Sequence, residues 1–272
     1  MAGKFQEYAM VVSQESIGDG IFDLVLKTKE IAAAAVAGQF VSVYSESGTK
    51  LLPRPISLCG IDKENNTIRL VYRVTGKDTG TEEFSRLQKG ERIRILGPLG
   101  NGFTVEQNKA AILVGGGIGV PPMLQLAKDI KNKSAKGLEK DKEAPKMTIV
   151  MGYRDAKTFL LEEFQEQAKT LVATEDGSVG TKGNVLDAIR EGKIQADVIY
   201  ACGPMPMLRA LKEYAQEQHM DCYVSMEERM ACGIGACLAC VCNSKEKDAH
   251  SNVNNKRICK EGPVFHAQEV EL

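Results

Sequence analysis

The sequence carries almost no net charge: 35 lysines and arginines against 36 aspartates and glutamates leave −1 over 272 residues. Gathering a polyanion or an acidic lipid surface takes a long-range positive field, so neither nucleic acid nor membrane is expected as a partner. Long hydrophobic runs are also missing. The longest weakly apolar stretch, Ile31 to Ala37, falls far short of the roughly 20 residues that cross a bilayer. Met1 to Tyr8 holds no apolar signal core, and a soluble, cytoplasmic chain is expected. Histidine is scarce. His219, His250 and His266 are scattered and read as surface or core residues, and no general acid or base is required of them. No internal repeat is present, and the charged stretch Lys131 to Lys146 reads as a solvated loop.

What is present is an ordinary globular composition, 43% apolar and 26% charged, in a chain long enough for about two domains at roughly 150 residues each. A disulfide-stapled miniprotein is excluded by that length. Glycine is in excess, 26 residues or about 10% against a usual roughly 7%, which asks where permissive backbone is needed. Five of the eight cysteines lie between 232 and 259, and with no export signal such clustered thiols point to metal.

Three zones follow one another. Up to about Phe103, short β-rich runs (Phe40 to Tyr44, Thr67 to Tyr72, Arg92 to Leu96) alternate with turn residues, as in a small antiparallel barrel. Gly97 to Gly102 is dense in turn formers and reads as a seam. Beyond it, buried-strand runs Ala110 to Val114, Met147 to Met151 and Val198 to Cys202 alternate with helical stretches Pro122 to Lys131 and Met205 to Gln218. That alternation is the pattern of βαβ units on a parallel sheet. From about Met226 periodicity fades and cysteine and glycine dominate. The expected domains are 1–103, 104–225 and 226–272.

The strongest chemical pattern is Cys232-x4-Cys237-x2-Cys240-x18-Cys259. Its first three spacings match a plant-type two-iron two-sulfur loop rather than the paired C-x2-C knuckles of a zinc ribbon. Ala231, Gly233, Gly235, Ala236 and Ala239 have little side chain, so the backbone can wrap a cluster and aim N–H groups at its sulfurs. Cys242 is the alternative fourth ligand, and a structural zinc site that adds Cys242 or His250 is the alternative metal. Cys59 and Cys222 read as small buried hydrophobes.

The second pattern is Ile112-Leu-Val-Gly115-Gly116-Gly117-Ile118-Gly119-Val120-Pro121-Pro122, a strand entering a helix through glycines. Such a turn exposes N–H groups at a helix start, where a pyrophosphate is stabilised. It is not G-x-G-x-x-G, because the third glycine of that fingerprint would fall on Val120. A further strand ends in Cys202-Gly203-Pro204, putting Cys202 at the carboxyl edge of the sheet, where ligands bind in open α/β folds, or else in the core. The third pattern is Arg54-Pro55-Ile56-Ser57. Pro53 and Pro55 fix the backbone around a guanidinium suited to a diphosphate, and Ser57 can hydrogen-bond a planar heterocycle. Val71-Tyr72-Arg73 offers an aromatic face and a cation, and Gly80-Thr81 precedes a helix-like Glu82 to Leu87. Together these fit FAD.

In this order the motifs resemble those of ferredoxin-reductase-like electron transfer proteins. Met230 to Val241 and Ile258-Cys259-Lys-Glu-Gly262-Pro263-Val264-Phe265 are similar to the electron transfer subunits of NAD-linked, type B dihydroorotate dehydrogenases, and the resemblance covers essentially the whole chain. It implies a multi-domain β plus α/β fold: an antiparallel β-barrel FAD domain, a parallel-sheet NAD domain and a small C-terminal iron-sulfur domain. It implies one FAD, one 2Fe-2S cluster, NAD, and a heterotetramer with two FMN-containing dihydroorotate dehydrogenase catalytic subunits. The family's FAD segments carry over onto Arg54, Pro55, Ile56 and Ser57, onto Val71, Tyr72 and Arg73, and onto Gly80 and Thr81. Because Gly76 to Thr81 is a stretched form of the usual G-x-G-T, Gly76 and Thr79 are alternatives to the last pair.

A nicotinamide exchanges two electrons as hydride and an iron-sulfur cluster one, and a flavin does both. After a barrel, a nucleotide domain and a cluster tail, no length is left for a roughly 250-residue substrate-oxidising barrel, so half an enzyme is expected. The alternatives are the electron transfer subunit of another NAD(P)-linked complex, bifurcating or glutamate synthase-like, and a zinc-stapled binding module.

Overall fold

The computed structural model describes residues 3–106, 108–136, 146–247 and 252–272. His250 and residues 137–145 of the charged stretch lie outside them, while residues 131–136 of that stretch are helical rather than the expected loop, the helix begun at Val120 running on through them. In the first zone β1 (Phe5–Gly18), β2 (Ile21–Lys27), β3 (Phe40–Val43), β4 (Arg54–Asp62), β5 (Thr67–Arg73) and β6 (Arg92–Leu99) close into a barrel in the order β1-β2-β5-β4-β3-β6. Alternation drives closure: Leu24, Leu26, Val41, Val43, Leu58, Ile68, Leu70, Ile93 and Ile95 all point inward, and a closed sheet has no unpaired edge. Helix α1 (Lys29–Ala34) takes up much of the apolar Ile31 to Ala37 run. Its start is capped from the adjacent strand β1 by the Glu7 carboxylate, which accepts the N–H groups of Lys29, Glu30 and Ile31. Helix α2 (Gly80–Phe84) follows β5. The seam is shorter than the turn residues suggest, because Gly97, Pro98 and Leu99 still belong to β6. Barrel pairing with β1 and β3 holds them extended despite their turn preference.

The second zone alternates β7 (Ala111–Gly116), α3 (Val120–Lys136), β8 (Met147–Tyr153), α4 (Leu161–Gln165), β9 (Lys169–Thr174), β10 (Thr181–Lys182), α5 (Val185–Glu191), β11 (Val198–Cys202), α6 (Met205–Glu217) and β12 (Asp221–Ser225). These strands pair in parallel, and β7 and β11 are buried along their whole length because helices cover both faces. The tail adds the hairpin β13 (Val241–Asn243) and β14 (Asn255–Arg257), and then β15 (Val264–His266). β15 returns to pair antiparallel with β12, making the sheet β10-β9-β8-β7-β11-β12-β15.

One apolar core runs through all three zones, joining Phe40 and Leu99 of the barrel, Ile112, Val114 and Ile199 of the sheet, and Cys240, Ile258 and Phe265 of the tail. On the other side of the sheet α3 lies against β4, where Gln125 Oε1 accepts the Ile61 N–H at 2.7 Å. No helix among the described residues is long and apolar enough to cross a membrane.

Candidate cofactor sites

The glycine turn and the Cys202-Gly203-Pro204 turn are built into each other. Gly115 and Gly116 complete β7, Gly117 to Gly119 form a single 3-10 turn, and α3 starts at Val120 with Pro121 and Pro122 in its first turn. A methyl on Gly119 would sit 2.4 Å from the Cys202 carbonyl oxygen, and one on Gly203 3.1 Å from Gly116 N. Only glycines let the two turns close to this distance. Gly117 is the opposite case: its φ is +55° and a methyl there would meet nothing within 4 Å. The turn therefore packs tightly behind Gly119 and opens at Gly117, a cradle fit for a pyrophosphate at a helix start. Cys202 is 1% exposed, and its sulfur is bonded by the Ser225 hydroxyl from the paired residue on β12. Burial, and then the Glu227 carboxylate, push this thiol well above its ordinary range.

In the barrel, Arg54 and Gly80 meet although 26 residues separate them in sequence. A methyl on Gly80 would touch Arg54 Cγ at 3.3 Å and Nε at 3.4 Å, so the guanidinium stem lies over the start of α2 while Nη1 donates to the Leu52 carbonyl at 3.0 Å. Pro55 and Arg73 are exposed and Ser57 is half-buried. The cap of α2 is Thr79, whose hydroxyl accepts the Glu82 N–H, so Gly80 and Thr81 lie inside the first turn rather than ahead of it. Thr81 is turned inward, accepting the Thr75 N–H at 3.1 Å. Ile56, Val71 and Tyr72 are also buried. The aromatic face expected of Tyr72 is not offered outward. Its ring stacks on Phe22, abuts Phe84 and donates its hydroxyl to Gln14, because alternation along β5 points this residue into the barrel. Arg54, Pro55, Ser57 and Arg73 are the groups that reach outward, and Gly80 is buried beneath the Arg54 stem.

The tail gathers its thiols in two pairs. Cys232 Sγ accepts the N–H groups of Ile234 at 3.5 Å and Ala236 at 3.3 Å and a hydrogen bond from the free Cys237 thiol, the loop being folded by left-handed Gly233 and Gly235. Burial pushes the Cys232 thiol up, but these donors outweigh it and bring it down to about 7. The free thiol of Cys240 shares a hydrogen bond with that of Cys259, and this contact lowers Cys240 to about 6 against the effect of burial. The hairpin makes this second pair: Val241 is opposite Arg257, and the Ile258 N–H reaches the Cys240 carbonyl at 2.9 Å. Cys242 points elsewhere, to the Lys256 carbonyl. Two pairs of thiols, in each of which one member, Cys232 or Cys240, is stabilised as thiolate by N–H or S–H donors, form a donor set that fits a binuclear iron-sulfur cluster with two sulfur ligands per iron. Among the described residues no three His, Cys, Asp or Glu side chains converge as a single-ion site.

Three residues at these sites are not legible from motifs. Ser225 bonds Cys202, and Glu227, two residues beyond β12, is reachable by solvent yet crowded enough for desolvation to raise its carboxyl. Arg257, 9% exposed, clasps Glu261 at 2.5 Å and donates to the Gly235 carbonyl at 3.2 Å, bracing the thiol loop. The available signals were position just past a parallel strand, for Ser225 and Glu227, and an Arg-x3-Glu pair around Cys259.

Family models match one stretch in each zone. The oxidoreductase FAD-binding domain matches residues 9–103, the oxidoreductase NAD-binding domain 113–213, and the iron-sulfur cluster binding domain of dihydroorotate dehydrogenase B 227–271. The dihydroorotate dehydrogenase B (NAD(+)) electron transfer subunit of Listeria monocytogenes serotype 4a (strain HCC23) is 42% identical over 266 residues, covering 96% of this chain and 97% of that protein. That of Bacillus caldolyticus is 43% identical over 272 residues, covering 98% and 99%. Among solved structures, an NADH-dependent reduced ferredoxin-NADP oxidoreductase matches with TM-score 0.83 and 28% identity, covering 97% of this chain and 90% of that one. The ferredoxin reductase in carbazole 1,9a-dioxygenase, with TM-score 0.64 and 18% identity, covering 80% and 67%, shares the fold.

Barrel, nucleotide sheet and thiol loop thus define a ferredoxin-reductase-like oxidoreductase with FAD, NAD and iron-sulfur domains. Within that class, the chain belongs to the family of electron transfer subunits of dihydroorotate dehydrogenase B (NAD(+)).

Proposed function

We propose that this chain passes electrons from the FMN of a dihydroorotate-oxidising catalytic partner to NAD+, in pyrimidine biosynthesis, as half of a two-plus-two heterotetramer. FAD supplies the junction, exchanging hydride with a nicotinamide and single electrons with a cluster. On this reading Arg54, Pro55, Ile56, Ser57, Val71, Tyr72, Arg73, Gly80 and Thr81 line the flavin site, the buried ones through their backbone. Gly115, Gly116, Gly117, Gly119, Cys202, Gly203 and Pro204 hold the nicotinamide dinucleotide, and Cys232, Cys237, Cys240 and Cys259 hold the cluster. The domains are 1–103, 104–225 and 226–272.

The supporting observation is a line of contact. Cys237 is exposed, with Ile234 (45%), Leu238 (51%) and Val241 (37%) exposed around it, an apolar rim of the kind that a partner covers. Next to it, Gly233 rests on Ser42 of β3 and Leu99 of β6. Ser42 is in register with Pro55 of β4, inside the Arg54 to Ser57 segment. The thiol loop therefore has one side on the surface and the other against β3, the neighbour of the strand assigned to flavin.

A second reading, service to a bifurcating complex, is favoured by the likeness to the ferredoxin-NADP oxidoreductase. A zinc-stapled binding module is set aside by the iron-sulfur match of residues 227–271. Co-purification at native expression decides between the first two. A partner with FMN and dihydroorotate-dependent reduction of NAD+ supports the proposal. A ferredoxin-reducing partner, or no dihydroorotate-dependent turnover, overturns it.

A further inference from the structure

Besides the apolar core, an ion-pair bracket ties the barrel to the nucleotide unit. Arg69 of β5 uses its whole guanidinium: Nε and Nη2 bond Asp23 of β2 at 2.9 and 2.6 Å, and Nη1 and Nη2 bond Glu163 of α4 at 2.7 and 2.8 Å. The side chains are 22%, 15% and 33% exposed respectively, and Lys128 of α3 stands 3.8 Å from Glu163. Burial raises the Glu163 carboxyl, but the Arg69 contacts outweigh it and hold it below its ordinary range. The planar fork grips one carboxylate from each unit, a geometry that lysine cannot reproduce. Gly60, in register with Arg69, leaves room for the stem: a methyl there would press on Arg69 Cβ at 3.2 Å.

Three of the elements packed at this bracket, β5, β4 and α3, also carry cofactor segments. β5 ends in Val71 to Arg73, and β4, which holds Gly60 and Ile61, begins with Arg54 to Ser57. α3, which supplies Gln125 to Ile61 and Lys128 to Glu163, starts at the glycine turn. α4 carries Glu163 in its first turn and follows the Arg154 to Leu160 loop at the carboxyl edge of β8, a loop closed by the Tyr153 hydroxyl on the Phe159 carbonyl at 2.8 Å. Strands and helices transmit a shift at one end to the other with little loss.

We propose that Arg69, gripping Glu163, is a positioning residue that sets the gap across which nicotinamide and flavin exchange hydride. The inference rests on the hydride-exchange reading above. A misplacement of about 1 Å costs such a reaction on the order of 10²-fold, so loosening the bracket is expected to slow transfer more than it weakens binding.

The test uses the full chain with native flavin and cluster, as Glu163→Gln and Arg69→Met, with Arg69→Lys as the conservative variant. Anaerobic stopped-flow mixing with NADH is expected to show the limiting rate of flavin bleaching lowered about tenfold or more, with the NADH dissociation constant changed less than about threefold. The long-wavelength charge-transfer band of the NADH complex is expected to weaken, while flavin content and the iron-sulfur spectrum stay as in the parent. Arg69→Lys should recover only part of the rate. A limiting rate and charge-transfer band unchanged in Glu163→Gln overturn the proposal, even where melting temperature falls, since that is the mark of a merely structural bracket. If Arg69→Met loses its flavin, Glu163→Gln decides. If the parent protein itself is not bleached by NADH, the hydride reading fails and takes this inference with it.

Discussion

Gly119→Ala puts the interlocked turns to the sharpest test. The new methyl would lie 2.4 Å from the Cys202 carbonyl oxygen, 2.5 Å from its carbon and 2.6 Å from Gly203 Cα, where ordinary contact is 3.4–4 Å. All three are backbone atoms, and Cys202 is held by β7 on one side and β12 on the other, so none can swing aside. Relief requires the two turns to part by about 1 Å. Overpacking of this kind costs about 1–3 kcal/mol, or a melting temperature lower by roughly 2–10 °C for a unit of this size. Parting the turns also breaks the cradle, and losing one hydrogen bond to a charged phosphate, about 1.5–3 kcal/mol, weakens NADH binding roughly tenfold to a hundredfold. Gly117→Ala is the comparison. It has room for the methyl but a φ of +55°, so it costs only about 1 kcal/mol of stability while the methyl obstructs the open side of the cradle. Differential scanning fluorimetry and NADH titration read both effects. A Gly119→Ala protein that melts within about 1 °C of the parent and binds NADH within about twofold would refute the packing argument and its magnitude.

Cys259→Ser is expected to lose the iron-sulfur spectrum with FAD retained, and Cys242→Ser to keep both, because Cys259 and not Cys242 lies against Cys240; the reverse pattern in visible absorbance ends that assignment. Arg54→Ala is expected to weaken FAD retention about tenfold to a hundredfold, and yellow colour surviving extensive dialysis would count against it. Glu163 is depressed below its ordinary 4.5 by Arg69, so its pairing stabilises the fold fully above that pH and is lost as pH falls from there through the lowered folded value. The melting temperature should therefore hold from pH 7 to about 5, then drop below about 4.5, less steeply in Arg69→Met; an equal drop in both proteins removes the argument. NADH is expected to reduce the protein at least about tenfold better than NADPH. The reason is local: Asp155, in the loop after β8, can accept a hydrogen bond from a ribose hydroxyl and repels a 2'-phosphate, Lys157 beside it is paired with Asp19, and the backbone N–H groups of Glu175 and Asp176 bond the Tyr153 and Arg154 carbonyls, which brings further acidic residues to this loop. A preference for NADPH in matched steady-state assays refutes this balance.

Much of this protein was legible in the sequence because its chemistry is written in short spacings. Cys232, Cys237 and Cys240 fall within nine residues, the Gly115 to Gly119 turn within five, and Arg54 to Ser57 within four. Such segments form local geometry, and the strand and helix periods around them announced the barrel and the parallel sheet. Only the tertiary structure decided what depends on pairing between distant segments. It set Cys259 rather than Cys242 against Cys240 through the β13–β14 hairpin, returned β15 to the edge of the nucleotide sheet, and turned the Tyr72 ring into the barrel. It joined Arg69 to Glu163 across 94 residues, and Arg54 to Gly80. A sequence records which side chains are able to pair; which of them meet depends on strand register and on how closely whole elements pack, and those are settled by the burial of the entire core at once.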